Sequence, residues 1–229
     1  MNGHGHGHRS TTAAPVVVIG AGLAAVQLAD SLREAGYDGP VTLIGEMPGL
    51  PGQRPPLSKE FLTGDLSRQG VTLRAEGFYA DRDIRLPAGH RAVRIDRARR
   101  TVALQDGSTV GYGHLVLATG TRPRPLPLPG ADLDGVLPLR TVEDAERLRT
   151  RLRAARDVVI VGAGFIGLEV AAACRALGRR AVVFDIAGQA MGRAVSTPTR
   201  TSSPSGTARG ALPWSWAAAS PRSSAATAG

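Results

Sequence analysis

The chain has 229 residues, enough for one large or two small domains, and its 42% hydrophobic residues can form a core with few aromatics. Its net charge of +9 comes almost wholly from scattered arginine, without interleaved aromatics or a nucleic-acid-binding motif, which argues against a nucleic-acid partner. No apolar run reaches the roughly 18–20 residues that span a bilayer, and the N-terminus lacks a secretory signal pattern. We therefore expect a cytoplasmic protein without a membrane segment.

The first structured segment follows a polar leader, residues 1–14, which we expect to be disordered. A β-branched apolar run, Val16–Ile19, predicts a buried parallel strand. Apolar residues at helical spacing over 23–35 predict a helix, and residues 41–44 predict a second strand that leads to Glu46. Together these segments predict a β-α-β unit.

The middle of the chain alternates short strands with turns. A Pro/Gly-rich excursion contains a short helical piece near 58–62, and alternating apolar residues at 92–95 and 101–104 predict two further strands. Residues 115–118 predict another buried strand. The segment 122–130 contains four prolines and predicts a linker to a second unit.

A second β-α-β unit follows the linker. Thr141 begins a charged helix in a capping-box pattern with Asp144. A strand is predicted at 158–161, a helix at 168–177 and a further strand at 181–184. The two units lie about 140 residues apart and repeat the same order of elements.

Both units contain a glycine-rich turn between strand and helix. The first glycine of such a turn permits a tight bend, the second lets a pyrophosphate approach the backbone, and a small third residue lets helix pack on strand. The helix N-terminus then offers free N–H groups to the phosphates. The three positions are Gly20, Gly22 and Ala25 in the first unit, and Gly162, Gly164 and Gly167 in the second.

An acidic residue ends the second strand of each unit, Glu46 in the first and Asp185 in the second. A carboxylate there can accept hydrogen bonds from the ribose hydroxyls of an adenosine and repels a 2′-phosphate. Asp185 therefore favours NAD over NADP, although Arg179 and Arg180 are near it in sequence. Two dinucleotide sites predict a hydride relay from nicotinamide to flavin, in which the protein positions two rings.

Several motifs resemble the FAD-dependent ferredoxin and rubredoxin reductases of bacterial oxygenase and P450 systems. The similarity covers residues 16 to about 196, and its most specific piece is Arg-Pro-Pro-Leu-Ser-Lys at 54–59. The other pieces lie at 16–25, 115–120, 139–145 and 162–169. The resemblance implies FAD at the first glycine turn, NADH at the second, and an iron–sulfur ferredoxin or rubredoxin as electron acceptor.

By the same resemblance, Lys59 lies beside the flavin N5 and pairs with Glu169, and we predict these two as the catalytic residues. Lys59 is the only lysine in an arginine-rich chain, which supports a chemical need for it. The single cysteine, Cys174, excludes the related enzymes that use a redox cysteine pair. No metal site is predicted. The residues implied to contact the cofactors are Gly20, Ala21, Gly22, Leu23, Ala24, Glu46, Arg54, Lys59, Ala92, Ala118, Thr119, Gly120, Arg140, Gly162, Gly164, Phe165, Ile166, Gly167 and Asp185.

The predicted fold is α/β, with two Rossmann-like three-layer dinucleotide-binding domains, both incomplete. We expect an FAD-binding domain at 15–121, an NAD-binding domain at 122–196 and a disordered tail at 197–229. Because members of the resembling family are nearly twice as long, we expect the chain to be truncated, with a shifted reading frame near 197–200. A non-catalytic dinucleotide-binding module or sensor remains the alternative, and the oligomeric state is left open.

Overall fold

The computed structural model describes residues 13–187, residues 190–191 and the backbone of Ser215–Ala218. No helix in these described parts is long and apolar enough to cross a membrane. The strands are β1 Val16–Ile19, β2 Val41–Ile44, β3 Ile84–Arg85, β4 Ala92–Asp96, β5 Thr101–Leu104, β6 Thr109–Gly111, β7 His114–Leu117, β8 Asp157–Val161, β9 Arg180–Asp185 and β10 Ser215–Ala218. The helices are α1 Leu23–Glu34, α2 Glu60–Thr63, α3 Glu76–Asp81, α4 Val142–Ala154 and α5 Phe165–Ala176, with short 3-10 helices at Pro55–Ser58 and Gln69–Val71.

The chain forms two compact units. Unit 1 contains the residues up to Gln53 together with Thr72–Arg122, and unit 2 contains Arg54–Val71 together with the residues from Pro123 onward. Each unit contains a parallel sheet with a glycine turn that leads into a helix, as the internal repeat predicts. The predicted α/β fold with two Rossmann-like units is therefore confirmed.

Unit 1 has three layers. Its parallel sheet has the strand order β3-β2-β1-β7, and a separate antiparallel sheet has the order β4-β5-β6. Because side chains alternate along a strand, Val16 and Val18 of β1 pack with Val26 of α1, whereas Val17 packs with Val102 of β5. The parallel sheet is thus covered by helix on one face and by the antiparallel sheet on the other.

Unit 2 has a parallel sheet of strand order β10-β9-β8. One face packs on α5, where Ile160 and Val183 join Cys174 in a buried cluster. The other face of β8 and the end of β9 is open among the described residues: Val159 is 66% exposed and Ile186 is 88% exposed. We call this surface, formed by Val159, Val161, Phe184 and Ile186, the open face of unit 2.

The segment Arg54–Val71 belongs to unit 2, whereas the sequence places it in the first domain, 15–121. The reason lies in its apolar side chains: Leu57, Phe61 and Val71 are buried in one cluster with Ala145 of α4. Arg68 adds ion pairs with Glu143 and Glu146, both on α4. These contacts link residues far apart in sequence, which local patterns do not show.

The backbone of Ser215–Ala218 pairs in parallel with β9, although the sequence predicts disorder for the whole of 197–229. A strand at a sheet edge has unpaired N–H and C=O groups, and a further strand satisfies those groups whatever its composition. The rest of that segment, and residues 1–12 of the leader, lie outside the described residues. The predicted capping box of α4 is confirmed, because the side chains of Thr141 and Asp144 each bond the other's backbone N–H.

Candidate dinucleotide-binding sites

The first glycine turn joins β1 to α1 in unit 1. Gly20 has φ +115°, and a Cβ atom there would lie 2.1 Å from the carbonyl oxygen of Ala118, so glycine is required twice over. A Cβ on Gly22 would meet nothing within 4 Å, which leaves open space where a ligand can approach the backbone. The turn lies against the end of β7, where Ala118 donates its N–H to Ile19. The predicted residues Ala118 and Thr119 therefore lie beside this turn, and Gly120 follows them in the chain.

Glu46 follows β2 and is 51% exposed. Its carboxylate lies 3.2 Å from Arg122 and 3.6 Å from Arg91, two ion pairs that the sequence did not predict. Ala92, one of the residues implied to contact a cofactor, begins β4 directly after Arg91. Glu46 is thus held by two guanidinium groups and still reachable from solvent.

In the second glycine turn, between β8 and α5 in unit 2, each glycine has a different structural role. Gly162 has φ +111°, a conformation that side-chain-bearing residues rarely adopt. A Cβ on Gly167 would lie 1.8 Å from the carbonyl oxygen of Gly162, so this position sets how closely α5 approaches the turn. A Cβ on Gly164 would meet nothing within 4 Å. The open position is therefore the one that a pyrophosphate needs.

Asp185 ends β9 and contacts the second turn directly. Its Oδ2 accepts a hydrogen bond from the N–H of Ala163 at 2.6 Å, and its Oδ1 accepts one from Ala187 at 2.7 Å. The sequence predicted a ribose ligand here and missed this bracing role. Of the two nearby arginines, Arg180 pairs with Asp157 and Arg179 donates to the carbonyl oxygen of Arg153.

The helices that follow the two glycine turns differ from α4 in how their N-termini are capped. Helix α4 has a side-chain capping box, whereas α1 and α5 have neither a side-chain cap nor an acidic residue in the first turn, all three helices lying within the described residues. The first N–H groups of a helix without such a cap are open to an anion, and the helix dipole favours one. Both turns therefore fit the pyrophosphate of a dinucleotide.

A groove of about 270 Å³ lies in unit 2 beside the start of α5. In it the Nζ of Lys59 lies 3.1 Å from Oε1 of Glu169, as the resemblance implies. Burial lowers the pKa of the Arg54 guanidinium from its ordinary value, and the charge of Arg140 lowers that pKa further. Three cations and one carboxylate thus give the groove a net positive charge. Its lining residues are Arg54, Pro55, Leu57, Ser58, Lys59, Leu139, Arg140, Phe165, Ile166 and Glu169.

The groove also contains a contact that was not predicted. The hydroxyl of Ser58 donates to Oε2 of Glu169 at 2.5 Å, and Ser58 is only 4% exposed. The sequence contained one indication of this contact, because Ser58 directly precedes Lys59, which is predicted to pair with Glu169. Both oxygens of the Glu169 carboxylate therefore have a partner within the groove.

The described residues contain no group of three His, Cys, Asp or Glu side chains that could bind a metal ion. His4, His6 and His8, which alternate with glycine near the N-terminus, lie outside the described part of the chain. Cys174 is buried in α5, and burial raises the pKa of its thiol. Since the thiolate is the reactive form, Cys174 acts as a small apolar core residue rather than as a nucleophile.

Two curated proteins with similar sequences are reductases. The chain is 46% identical over 182 residues to rhodocoxin reductase of Rhodococcus erythropolis, an alignment that covers 80% of this chain and 43% of that protein. It is 42% identical over 181 residues to rubredoxin-NAD(+) reductase of Pseudomonas putida, covering 79% of this chain and 47% of the relative. The chain thus spans less than half the length of these curated relatives.

Two solved structures similar to this chain are also structures of reductases. A ferredoxin reductase for the CYP199A2 system from Rhodopseudomonas palustris superposes with a TM-score of 0.79 at 44% identity, over 82% of this chain and 46% of that one. The reductase in a covalent putidaredoxin reductase–putidaredoxin complex superposes with a TM-score of 0.78 at 38% identity, over 83% and 46%. The family model for pyridine nucleotide-disulphide oxidoreductases matches residues 14–202. The two glycine turns thus lie within a match that extends over most of the sequence, and this chain belongs to the pyridine nucleotide-disulphide oxidoreductase family.

Proposed function

We propose that this chain is the nucleotide-binding part of a flavoprotein oxidoreductase that passes hydride from NADH to FAD. Electrons then pass to a small iron–sulfur protein, ferredoxin or rubredoxin, of an oxygenase or P450 system. The observation that carries the proposal is the Lys59–Glu169 pair, 3.1 Å apart in a positively charged groove. The groove adjoins the start of α5, the helix that the second glycine turn begins.

The roles of the residues follow from their chemistry. The glycine turns and the free ends of α1 and α5 bind pyrophosphate groups. FAD, when bound, would supply the hydride acceptor, and the Lys59 ammonium would stabilise the negative charge that develops during transfer. Arg54 and Arg140 add further positive charge to the same groove.

Asp185 supports NADH rather than NADPH as the donor. Its carboxylate can accept hydrogen bonds from ribose hydroxyls, and it repels a 2′-phosphate. Arg179 and Arg180, which could otherwise bind such a phosphate, have partners elsewhere in unit 2. A cytoplasmic location fits this donor and a single buried thiol that needs no oxidising compartment.

The iron–sulfur acceptor is proposed from the relatives, whose names refer to rubredoxin, and from the solved complex with putidaredoxin. A non-catalytic dinucleotide-binding module is the alternative. It needs the glycine turns alone and gives no reason for a lysine paired with Glu169 in a chain that otherwise uses arginine. The reductase is therefore favoured.

The test is the visible spectrum of the chain after incubation with FAD and removal of the unbound excess. Anaerobic NADH should bleach the bound flavin, and added ferredoxin or rubredoxin should restore its colour. Lys59→Gln should slow bleaching by at least about tenfold, because it removes a charge that stabilises the transfer step. Arg68→Gln, in the same segment but outside the groove, is the matched control. A colourless protein that still binds NADH would favour the module instead.

A further inference from the structure

Ser58 is the least exposed polar side chain of the groove, and the charge pair alone does not explain it. It is 4% exposed and ends the 3-10 helix Pro55–Ser58, directly before Lys59. Its hydroxyl donates to Oε2 of Glu169, and a hydrogen bond to an ionised carboxylate is charge-assisted. The buried hydroxyl is therefore committed to the carboxylate that pairs with the lysine.

The two contacts divide the carboxylate between them. Lys59 pairs with Oε1 of Glu169, and Ser58 donates to Oε2. A carboxylate held at one oxygen can rotate about its last side-chain bond, whereas one held at both oxygens has a fixed plane. Because the Lys59 side chain is 45% exposed and has many rotamers, its position depends on how rigidly its partner is held.

We propose that Ser58 is a positioning residue that fixes the Glu169 carboxylate and, through it, the Lys59 ammonium in the groove. The inference deepens the proposed function and rests on it for the role of Lys59 in flavin reduction. In the flavin-loaded protein, Ser58→Ala should lower the rate of flavin reduction while the KM for NADH stays within about twofold, since the hydroxyl bonds the carboxylate rather than the nucleotide.

The chain offers a direct probe, because Lys59 is its only lysine. The rate at which an amine-reactive acylating reagent modifies Lys59 can be followed by peptide mass spectrometry, separately from the N-terminal amine and without any cofactor. Loss of the Ser58 hydroxyl frees the carboxylate to rotate, so Ser58→Ala should raise the labelling rate roughly threefold or more. Ser67→Ala, the same change in the same segment, should leave the rate unchanged, since Ser67 bonds Gly70 and not Glu169.

The double variant tests whether the effect passes through Glu169. Glu169→Gln should itself raise the labelling rate, and adding Ser58→Ala to it should change the rate no further. If Ser58→Ala fails to fold by circular dichroism, Ser58→Thr retains the hydroxyl and should label at the parent rate. A Ser58→Ala rate equal to the parent's, an equal effect in the Glu169→Gln background, or a folded Ser58→Thr that labels as fast as Glu169→Gln would each overturn the inference. Because labelling needs no flavin, a failure there is distinct from a failure of flavin reduction.

Discussion

Alanine at two glycines of the second turn should separate stability from ligand binding. Gly167→Ala puts a Cβ 1.8 Å from the carbonyl oxygen of Gly162, and this neighbour is backbone that cannot rotate away. Overpacking of this kind costs up to about 3 kcal/mol, and the better helix propensity of alanine returns about 1 kcal/mol. We therefore expect a net loss of about 2 kcal/mol in the free energy of unfolding, or roughly 6 °C in Tm.

Gly164→Ala should have the opposite profile. A Cβ there meets nothing within 4 Å and φ is −79°, so the only cost is the poorer N-cap, under about 1 kcal/mol. The new methyl group occupies the space that we assign to the pyrophosphate, so affinity for NADH should fall at least about tenfold. Thermal unfolding by circular dichroism measures the first effect, and NADH titration by calorimetry measures the second. A Gly167→Ala variant as stable as the parent, or a Gly164→Ala variant that binds NADH normally, would refute the reasoning.

Three further predictions concern charged groups. Burial by itself raises the pKa of Asp144, but hydrogen bonds from Thr141, Arg147 and Arg140 outweigh it and hold that pKa below its ordinary value of 3.8. The ionised carboxylate therefore stabilises the fold above that pH, and this contribution is lost as the pH falls below it. The free energy of unfolding of the parent, measured by circular dichroism, should therefore fall more steeply with decreasing pH in acid than that of Asp144→Asn. Asp185→Ala removes the hydrogen-bond acceptor of the Ala163 N–H and should lower the free energy of unfolding by about 1–3 kcal/mol. Asp185→Asn should lower it less but weaken NADH binding. Thermal unfolding and calorimetric NADH titration measure the two effects. Arg68→Gln should cost under about 1 kcal/mol in urea unfolding and less in high salt, because its ion pairs are half-exposed; a larger, salt-independent loss would contradict this.

The sequence predicted the elements around both turns closely, because each has a strong local pattern. The strands at Val16–Ile19 and Thr101–Leu104 lie where alternation or a β-branched run predicted them. Helix α5 begins at Phe165 rather than 168, since the N-cap is Gly164 itself. Boundaries of this kind depend on where the turn ends, which apolar spacing locates less well than it locates the helix.

What the sequence could not show depends on contacts between distant segments. The motif at 54–59 predicted Lys59, but no pattern showed that its segment packs on α4 within unit 2. The contact of Asp185 with Ala163 and that of Ser58 with Glu169 join residues 22 and 111 positions apart. Such bonds follow from the fold, so they become visible only when the fold is known.

The open face of unit 2 affects every solution experiment on this chain. Val159, Val161, Phe184 and Ile186 are exposed apolar side chains among the described residues, and exposed apolar surface favours the binding of hydrophobic dyes and self-association. The net charge of +9 opposes this self-association at low ionic strength, and added salt screens that repulsion. Apparent Tm and cofactor affinity should therefore vary with protein concentration, increasingly so in high salt, and dilution series belong in each assay.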